Sequence, residues 1–155
     1  MNNKVIRSLR FIKDEFFPSK KSEFEKEKLR LGKLPRFTTS TTNLLGNTFK
    51  IPDAASFLFI YDEIFNKEIY KFKSVKEDIL IIDCGANIGL SIIYFKKIFP
   101  NATVIGFEPD EKIYEALENN IRSFDLSNVQ LFKKACWSKE TTLQFFSDVA
   151  VAERT

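Results

Sequence analysis

Asp83 stands two residues ahead of Gly85, and Gly85 and Gly89 bracket the short run Gly85-Ala-Asn-Ile-Gly89, with Ser91 just beyond it. Glu108 follows 23 residues after Gly85, and Asp110 two residues later. An acid about 20 residues beyond a glycine turn is where nucleotide-binding folds take ribose hydroxyls, and a carboxylate suits the task because it accepts from two neighbouring hydroxyls at once. A dinucleotide turn would read G-x-G-x-x-G, its second glycine letting a pyrophosphate approach; here Asn87 holds that place. Asp83 would also repel a diphosphate, whereas it would attract a ligand bearing an ammonium or sulfonium group. The chain has no histidine, so any general base must be Asp, Glu, Lys or Tyr. Without histidine or a close cysteine pair, no zinc site is expected.

These residues need elements to hold them. Ile79 to Ile82 are four consecutive aliphatics, the pattern of a parallel strand covered on both faces. Ser91 to Phe99 reads as a helix ending before Pro100, and Ala102 to Phe107 as a second strand stopped by Glu108-Pro109. A helix with Ile113, Ala116, Leu117 and Ile121 on one face follows, then a loop at Leu126-Ser-Asn128 and a third strand over Val129 to Lys133. Thr141 to Phe146 can add one more strand. The β-α-β-α-β alternation predicts an α/β fold with a doubly wound parallel sheet and right-handed crossovers. Ligands bind such sheets beyond the carboxyl ends of the strands, where Asp83 to Gly89, Glu108 to Asp110 and Ala135 to Trp137 would meet.

Residues 1–77 form an N-terminal extension with no catalytic signature. Val5, Leu9, Ile12 and Phe16 recur at helical spacing up to Pro18, and Ser22-Glu-Phe-Glu25 has the capping-box form that opens a second helix, closed by Gly32. Gly46-Asn47, between Thr42-Asn-Leu-Leu45 and Thr48-Phe-Lys-Ile51, signals a hairpin. Asp53 is placed to cap a helix carrying Phe57, Ile60, Tyr61, Ile64 and Phe65.

Composition narrows the setting. The 155 residues are 44% hydrophobic and 29% charged, enough for one domain with a single core, and 17 of them are Phe. Residues 1–36 hold 11 Lys and Arg against 5 Asp and Glu, and the remainder 13 against 16. A basic arm could meet nucleic acid or an anionic membrane, but its charges are interspersed with Glu and read as solvated helices, so no nucleic-acid partner is expected. No apolar run approaches the roughly 20 residues of a membrane span, the basic start lacks the apolar core of a secretory signal, and two cysteines make no disulfide framework. A cytoplasmic protein is expected.

Ile82-Asp-Cys-Gly-Ala-Asn-Ile-Gly89 with Ser91, then Val104-Ile-Gly-Phe-Glu-Pro-Asp110, then Asn128 to Ala135, resembles the FkbM family of S-adenosylmethionine-dependent methyltransferases over residues 78–147, about half the chain. The run from Asp53 through Tyr61 and Glu63-Ile-Phe65 is similar, less specifically, to the segment that leads into some members. The resemblance implies a Rossmann-like class I methyltransferase domain at 78–155. In it Asp83 and the Gly85, Ala86, Asn87 and Gly89 backbone hold the methionine end of S-adenosylmethionine, with Ser91 on the helix behind. Glu108 would take the ribose hydroxyls, Pro109 and Asp110 would shape the adenine side, and Ala135 and Cys136 would flank adenine or else pack in the core. It implies O-methylation of a hydroxyl on a sugar, glycan or secondary metabolite.

Two other readings compete: a nicotinamide-dependent oxidoreductase, disfavoured by Asn87 and Asp83, and a non-catalytic interaction module on a nucleotide fold. The sheet is expected to be truncated after its first three strands, since the residues from Ile79 onward supply about two and a half units at roughly 30 residues each. The chain alone would then be inactive, and the first strand would have one unpaired edge. With strand order 3-2-1, Cys84 and Cys136 would lie about 9–10 Å apart, beyond the roughly 7 Å that a disulfide tolerates, and stay free thiols.

Overall fold

The computed structural model describes residues 20–76 and 78–142. The expected helix over Val5 to Phe16 lies outside them, as does most of the expected strand at Thr141 to Phe146.

Helix α1 (Lys20–Leu31) buries Phe24 and Leu31, and Gly32 closes it by donating its N–H to Lys28 O at 2.9 Å. Ser22 lies within this helix and not at its N-cap position. Lys20 and Lys21 are already helical, and a residue inside a helix cannot be the half-in flanking residue that an N-cap must be. Strands β1 (Ser40–Thr42) and β2 (Phe49–Ile51) form the antiparallel hairpin, Ser40 opposite Ile51. Its loop spans 43–48 rather than two residues, because Leu44 and Leu45 turn inward to the core instead of extending the strand. Gly46 takes φ +102° there and donates to Asn43 O at 2.9 Å.

Asp53 caps helix α2 (Ala54–Tyr61), its Oδ2 accepting from Ser56 N at 3.0 Å. The helix continues into a π-helical turn at Asp62–Asn66, which buries Ile64 and Phe65. A ladder of rings crosses this region: Phe24 stacks on Tyr61 with centroids 5.0 Å apart, Tyr61 on Phe65 at 4.8 Å, and Phe65 meets Tyr94 edge-on at 5.5 Å. The extension and the α/β unit thus share one hydrophobic core.

Strands β3 (Leu80–Cys84), β4 (Thr103–Phe107) and β5 (Val129–Phe132) form a parallel sheet in the order β3-β4-β5, linked by helices α3 (Leu90–Ile98) and α4 (Glu111–Ser123). Among the described residues β3 pairs with β4 alone, leaving its other edge open. Both crossovers run in one direction, so both helices lie on one face. Val104, Gly106 and, partly, Ile81, Val129 and Leu131 are covered on that face. The four-aliphatic run of β3 is not covered on both faces, contrary to its pattern. Leu80 is 61% and Ile82 60% exposed, since no described element packs on the opposite face.

Gly106 permits the close approach of the helical layer. A Cβ there would meet Ile92 Cδ1 at 3.0 Å, Leu131 Cδ2 at 3.1 Å and the Ala86 methyl at 3.3 Å. Asn120, 1% exposed on α4, joins the layers. Its Oδ1 accepts from Lys50 N at 2.6 Å, and its Nδ2 donates to Lys50 O at 3.0 Å and Ile88 O at 2.9 Å. One amide therefore satisfies both backbone groups of a hairpin residue and a carbonyl of the turn after β3.

Candidate functional site

The turn from Gly85 to Gly89 is built by left-handed backbone. Gly85 has φ +92°, Asn87 +49° and Gly89 +95°. Asn is one of the few side-chain-bearing residues that enter this region readily, because its carbonyl can bond locally. Here Asn87 Oδ1 accepts from Ile88 N at 2.7 Å. Asn87 therefore does conformational work that a glycine at the same place could also do.

Every amide of the turn is engaged within the protein. Gly85 N and Ala86 N both donate to Phe107 O, at 2.9 and 2.8 Å, and Gly89 N donates to Ala86 O at 2.9 Å. Asn87 N donates to Glu108 Oε2 at 3.1 Å, and Ile88 N to the Asn87 side chain. A phosphate cradle depends on free, converging N–H groups, and Gly85 to Gly89 offer none.

Two carboxylates flank the turn instead. Asp83 is half-buried and accepts from Ser91 Oγ at 2.5 Å through Oδ2, leaving Oδ1 for another donor. Burial holds its carboxyl above the ordinary 3.8, with the Ser91 bond pulling the other way. Glu108 is 7% exposed. Burial raises its carboxyl above the ordinary 4.5, the amides of Asp110 and Asn87 oppose this, and the charges of Asp110 and Asp83 reinforce it. Among the described residues neither group is paired with a cation, and a positively charged or hydroxyl-bearing ligand would relieve them.

Asp83, Gly85, Ala86, Asn87 and Ser91 line a cleft of about 190 Å³ together with Cys84, Ile88 and Leu90. Ile60, Ile64 and Tyr70 complete its wall. These three come from the extension, where the apolar spacing of α2 signalled only core packing. Tyr70, stacked against Phe95 at 6.0 Å, sits in an irregular stretch whose sequence carries no periodic signal. The cleft is smaller than the roughly 300 Å³ of a typical small-molecule pocket, so it suits one end of an extended ligand.

The remaining expected residues lie around this cleft rather than in it. Gly89 is packed beneath, where a Cβ would meet Leu117 Cδ1 at 2.9 Å. Glu108 braces the turn from below; its Oε1 accepts from Asp110 N at 2.9 Å. Asp110 caps α4 through Ile113 N at 3.0 Å, a role its position after Pro109 could have signalled. Ala135 and Cys136 are exposed, which removes core packing as their explanation.

After Phe132 the chain turns, Lys134 N donating to Phe132 O at 2.9 Å. Interaction with the Cys84 thiol, ahead of burial, pushes the Cys136 thiol up to about 11. Both thiols are free and exposed.

No group of His, Cys, Asp and Glu able to hold a metal occurs among the described residues. Nor is any described helix long and apolar enough to cross a membrane.

No family profile matches the sequence. The chain is 37% identical over 86 residues to Methyltransferase sdnD of Sordaria araneosa, covering 55% of this chain and 33% of that protein. It is 33% identical over 72 residues to Methyltransferase 1 of Beauveria bassiana (strain ARSEF 2860), covering 46% and 29%. The chain therefore spans about a third of the length of these curated relatives. In structure it resembles PH0793 of Pyrococcus horikoshii, a protein assigned as a transferase, at TM-score 0.50 and 21% identity over 78% of this chain and 50% of that one. That likeness is one of fold, and the fold is a Rossmann-like α/β sheet.

Proposed function

We propose that this chain carries the methyl-donor site of an S-adenosylmethionine-dependent methyltransferase of the FkbM type, within a Rossmann-like unit at 78–155 that the extension at 1–77 completes. The observation that carries the reading is the turn whose five amides are all committed, flanked by the carboxylates Asp83 and Glu108, neither of which meets a cation among the described residues. Such a turn is unsuited to a pyrophosphate and suited to a cationic amino-acid tail joined to a nucleoside. The similarity to two proteins named as methyltransferases supports the same choice.

In this reading Asp83 holds the methionine ammonium, oriented by Ser91, and the backbone of Gly85, Ala86 and Asn87 forms the floor of the cleft. Glu108 receives the ribose hydroxyls on the lone pairs left over from its two amide bonds, since an ionised carboxylate has about four acceptor sites. Pro109 and Asp110 fix the adenine side, with Ala135 and Cys136 opposite. When bound, S-adenosylmethionine supplies a sulfonium methyl for in-line displacement by an acceptor oxygen. Ile60, Ile64 and Tyr70 then screen the methionine end from water. The acceptor is read as a hydroxyl on a sugar, glycan or secondary metabolite, and the setting as the cytoplasm.

Titration calorimetry with S-adenosylhomocysteine and, separately, NAD tests this. Saturable binding of the first and none of the second is expected. Binding of NAD alone would make the chain an oxidoreductase domain, and a folded protein that binds neither would be a non-catalytic module.

A further inference from the structure

Helix α2 presents a second hollow beside the donor cleft. Ala55 with Phe59 and Ser56 with Ile60 are i, i+4 neighbours on the helix and, together with Arg36, line an open groove of about 410 Å³. That volume falls within the roughly 300–1,000 Å³ of small-molecule sites. The floor is largely hydrocarbon, and Phe59 is 67% exposed although its ring gains by leaving water. Ile60 lines this groove and the donor cleft alike, so the two hollows meet at one side chain.

The other end of the groove is charged. Arg36 Nε donates to both carboxylate oxygens of Asp53, at 3.0 and 3.1 Å, and Cζ lies 5.0 Å from the centre of the Phe37 ring. A guanidinium carries five N–H donors in a rigid fork. Among the described residues the terminal nitrogens of Arg36 meet no acceptor, and its side chain is 61% exposed. Asp53 thus fixes the cation without using the end of its fork, which is left for a planar anion held by two parallel bonds. Asp53 is also the N-cap of α2, and Ile60 lies seven residues further on. At 1.5 Å per residue the anion site and the mouth of the donor cleft are about 10 Å apart.

We infer that this groove seats the methyl acceptor, and that the acceptor is an apolar molecule with a carboxylate at its far end, the carboxylate on Arg36 and the body on Phe59 and Ile60. The carboxylate is then a handle and not the methylated atom, since it sits at the end away from the donor. A neutral sugar is disfavoured because it needs polar partners along its length. Ser56 is the one uncharged polar side chain among the described residues lining the groove, and its hydroxyl already donates to Asp53 at 2.7 Å. The role as acceptor site rests on the methyl-donor reading, whereas the preference for an apolar acid does not.

The full chain, isotope-labelled for amide NMR, is titrated with 8-hydroxyoctanoate, with 1,8-octanediol as its uncharged counterpart, and with methyl glucoside. Expected are saturable shifts at the amides of Arg36 and of Ala55 to Ile60, an acid bound about tenfold more tightly than the diol, and no saturation by the glucoside. In R36Q the acid should fall to the level of the diol, and R36K, which keeps the charge but not the fork, should recover only part of the loss. In F59A, which removes an exposed ring from outside the core, acid and diol should both weaken about tenfold. An acid that shifts other amides instead, a diol bound as tightly, or a glucoside bound better would overturn the ligand chemistry. Calorimetry with S-adenosylhomocysteine then tests the role. The acid and S-adenosylhomocysteine should bind together without displacing one another, I60A should weaken both, and F59A should weaken the acid alone. Mutual exclusion would make the groove an arm of the donor cleft and overturn the acceptor role. If S-adenosylhomocysteine does not bind while the acid still saturates the groove, the donor reading falls and the acceptor role with it, and the carboxylate site stands.

Discussion

The backbone N–H of Asn87 donates to Glu108 Oε2 at 3.1 Å, so the acid that ends β4 also braces the turn that follows β3. The second oxygen of Glu108 takes Asp110 N at 2.9 Å. Sequence spacing assigns Glu108 to a ligand; geometry gives it structural work as well. Its replacement would therefore disturb the turn and the ligand together, and Asp83 is the cleaner probe.

Asp83→Asn should stabilise the protein near neutral pH while weakening S-adenosylhomocysteine. The folded state raises this carboxyl above 3.8, so it binds the proton more tightly than the unfolded chain does. Its contribution is most favourable below pH 3.8 and is lost as pH rises through the raised value. Asparagine removes that loss. Urea unfolding at pH 3.5 and 7 should show a gain for the variant only at the higher pH. Affinity should drop about tenfold to a hundredfold, as for one charge-assisted hydrogen bond.

Binding of S-adenosylhomocysteine by the unaltered chain should weaken as pH falls through the window just above 3.8 and 4.5, where Asp83 and Glu108 take up protons. The ligand favours the ionised forms, so binding there releases protons. Calorimetry in buffers of different ionisation enthalpy measures that release, and an affinity flat across the window would contradict it.

Gly85→Ala and Gly89→Ala should separate ligand binding from folding. Both glycines have positive φ, but a Cβ on Gly85 meets open space whereas one on Gly89 meets Leu117 at 2.9 Å and Ile121 at 3.2 Å. Alanine at 85 is expected to cost about 1 kcal/mol of stability through left-handed strain while obstructing the cleft. At 89 strain and overpacking together should cost about 3 kcal/mol. Paired unfolding and binding measurements check the contrast.

Asp53→Ala should cost about 1 kcal/mol, the usual value of an N-cap. Burial alone would raise this carboxyl, but hydrogen bonds from Phe37, Ser56 and Arg36 override it and hold it down at about 2. A lowered value contributes stability above pH 3.8 that is lost as pH falls toward 2. The variant should show a shallower acid limb between those limits in circular dichroism titration.

Tyr94→Phe should be neutral or stabilising by about 1 kcal/mol. The Tyr94 hydroxyl is buried without a hydrogen-bond partner among the described residues, and removing it relieves that cost. Thermal unfolding reads the sign.

The β3-α3-β4-α4-β5 order was legible because each boundary carries its own local chemistry: the two glycines before α3, Pro100 after it, and the loop at 126–128 before β5. The turn was legible because Asp83, Asn87 and Glu108 differ in charge and conformational preference from what a phosphate turn requires. Other features rest on contacts distant in sequence. Nothing local shows that Asn120 reaches Lys50, or that the π-helical turn brings Ile64 to the cleft. The aliphatic run of β3 misled for a related reason, since composition reports what a strand can bury and not which neighbour arrives to cover it.

Asn120 also constrains how such a chain can vary over evolutionary time. Its amide grips both backbone groups of Lys50 while holding Ile88 O. Residues can be inserted at the tip around Gly46 without consequence for this grip. A single insertion between Phe49 and Ile51 would shift the register by one, turn the wrong face of β2 inward, and release the turn beside Asp83. Descendants of this sequence are therefore free to lengthen the hairpin at its tip, but at Lys50 they inherit the spacing of the donor site.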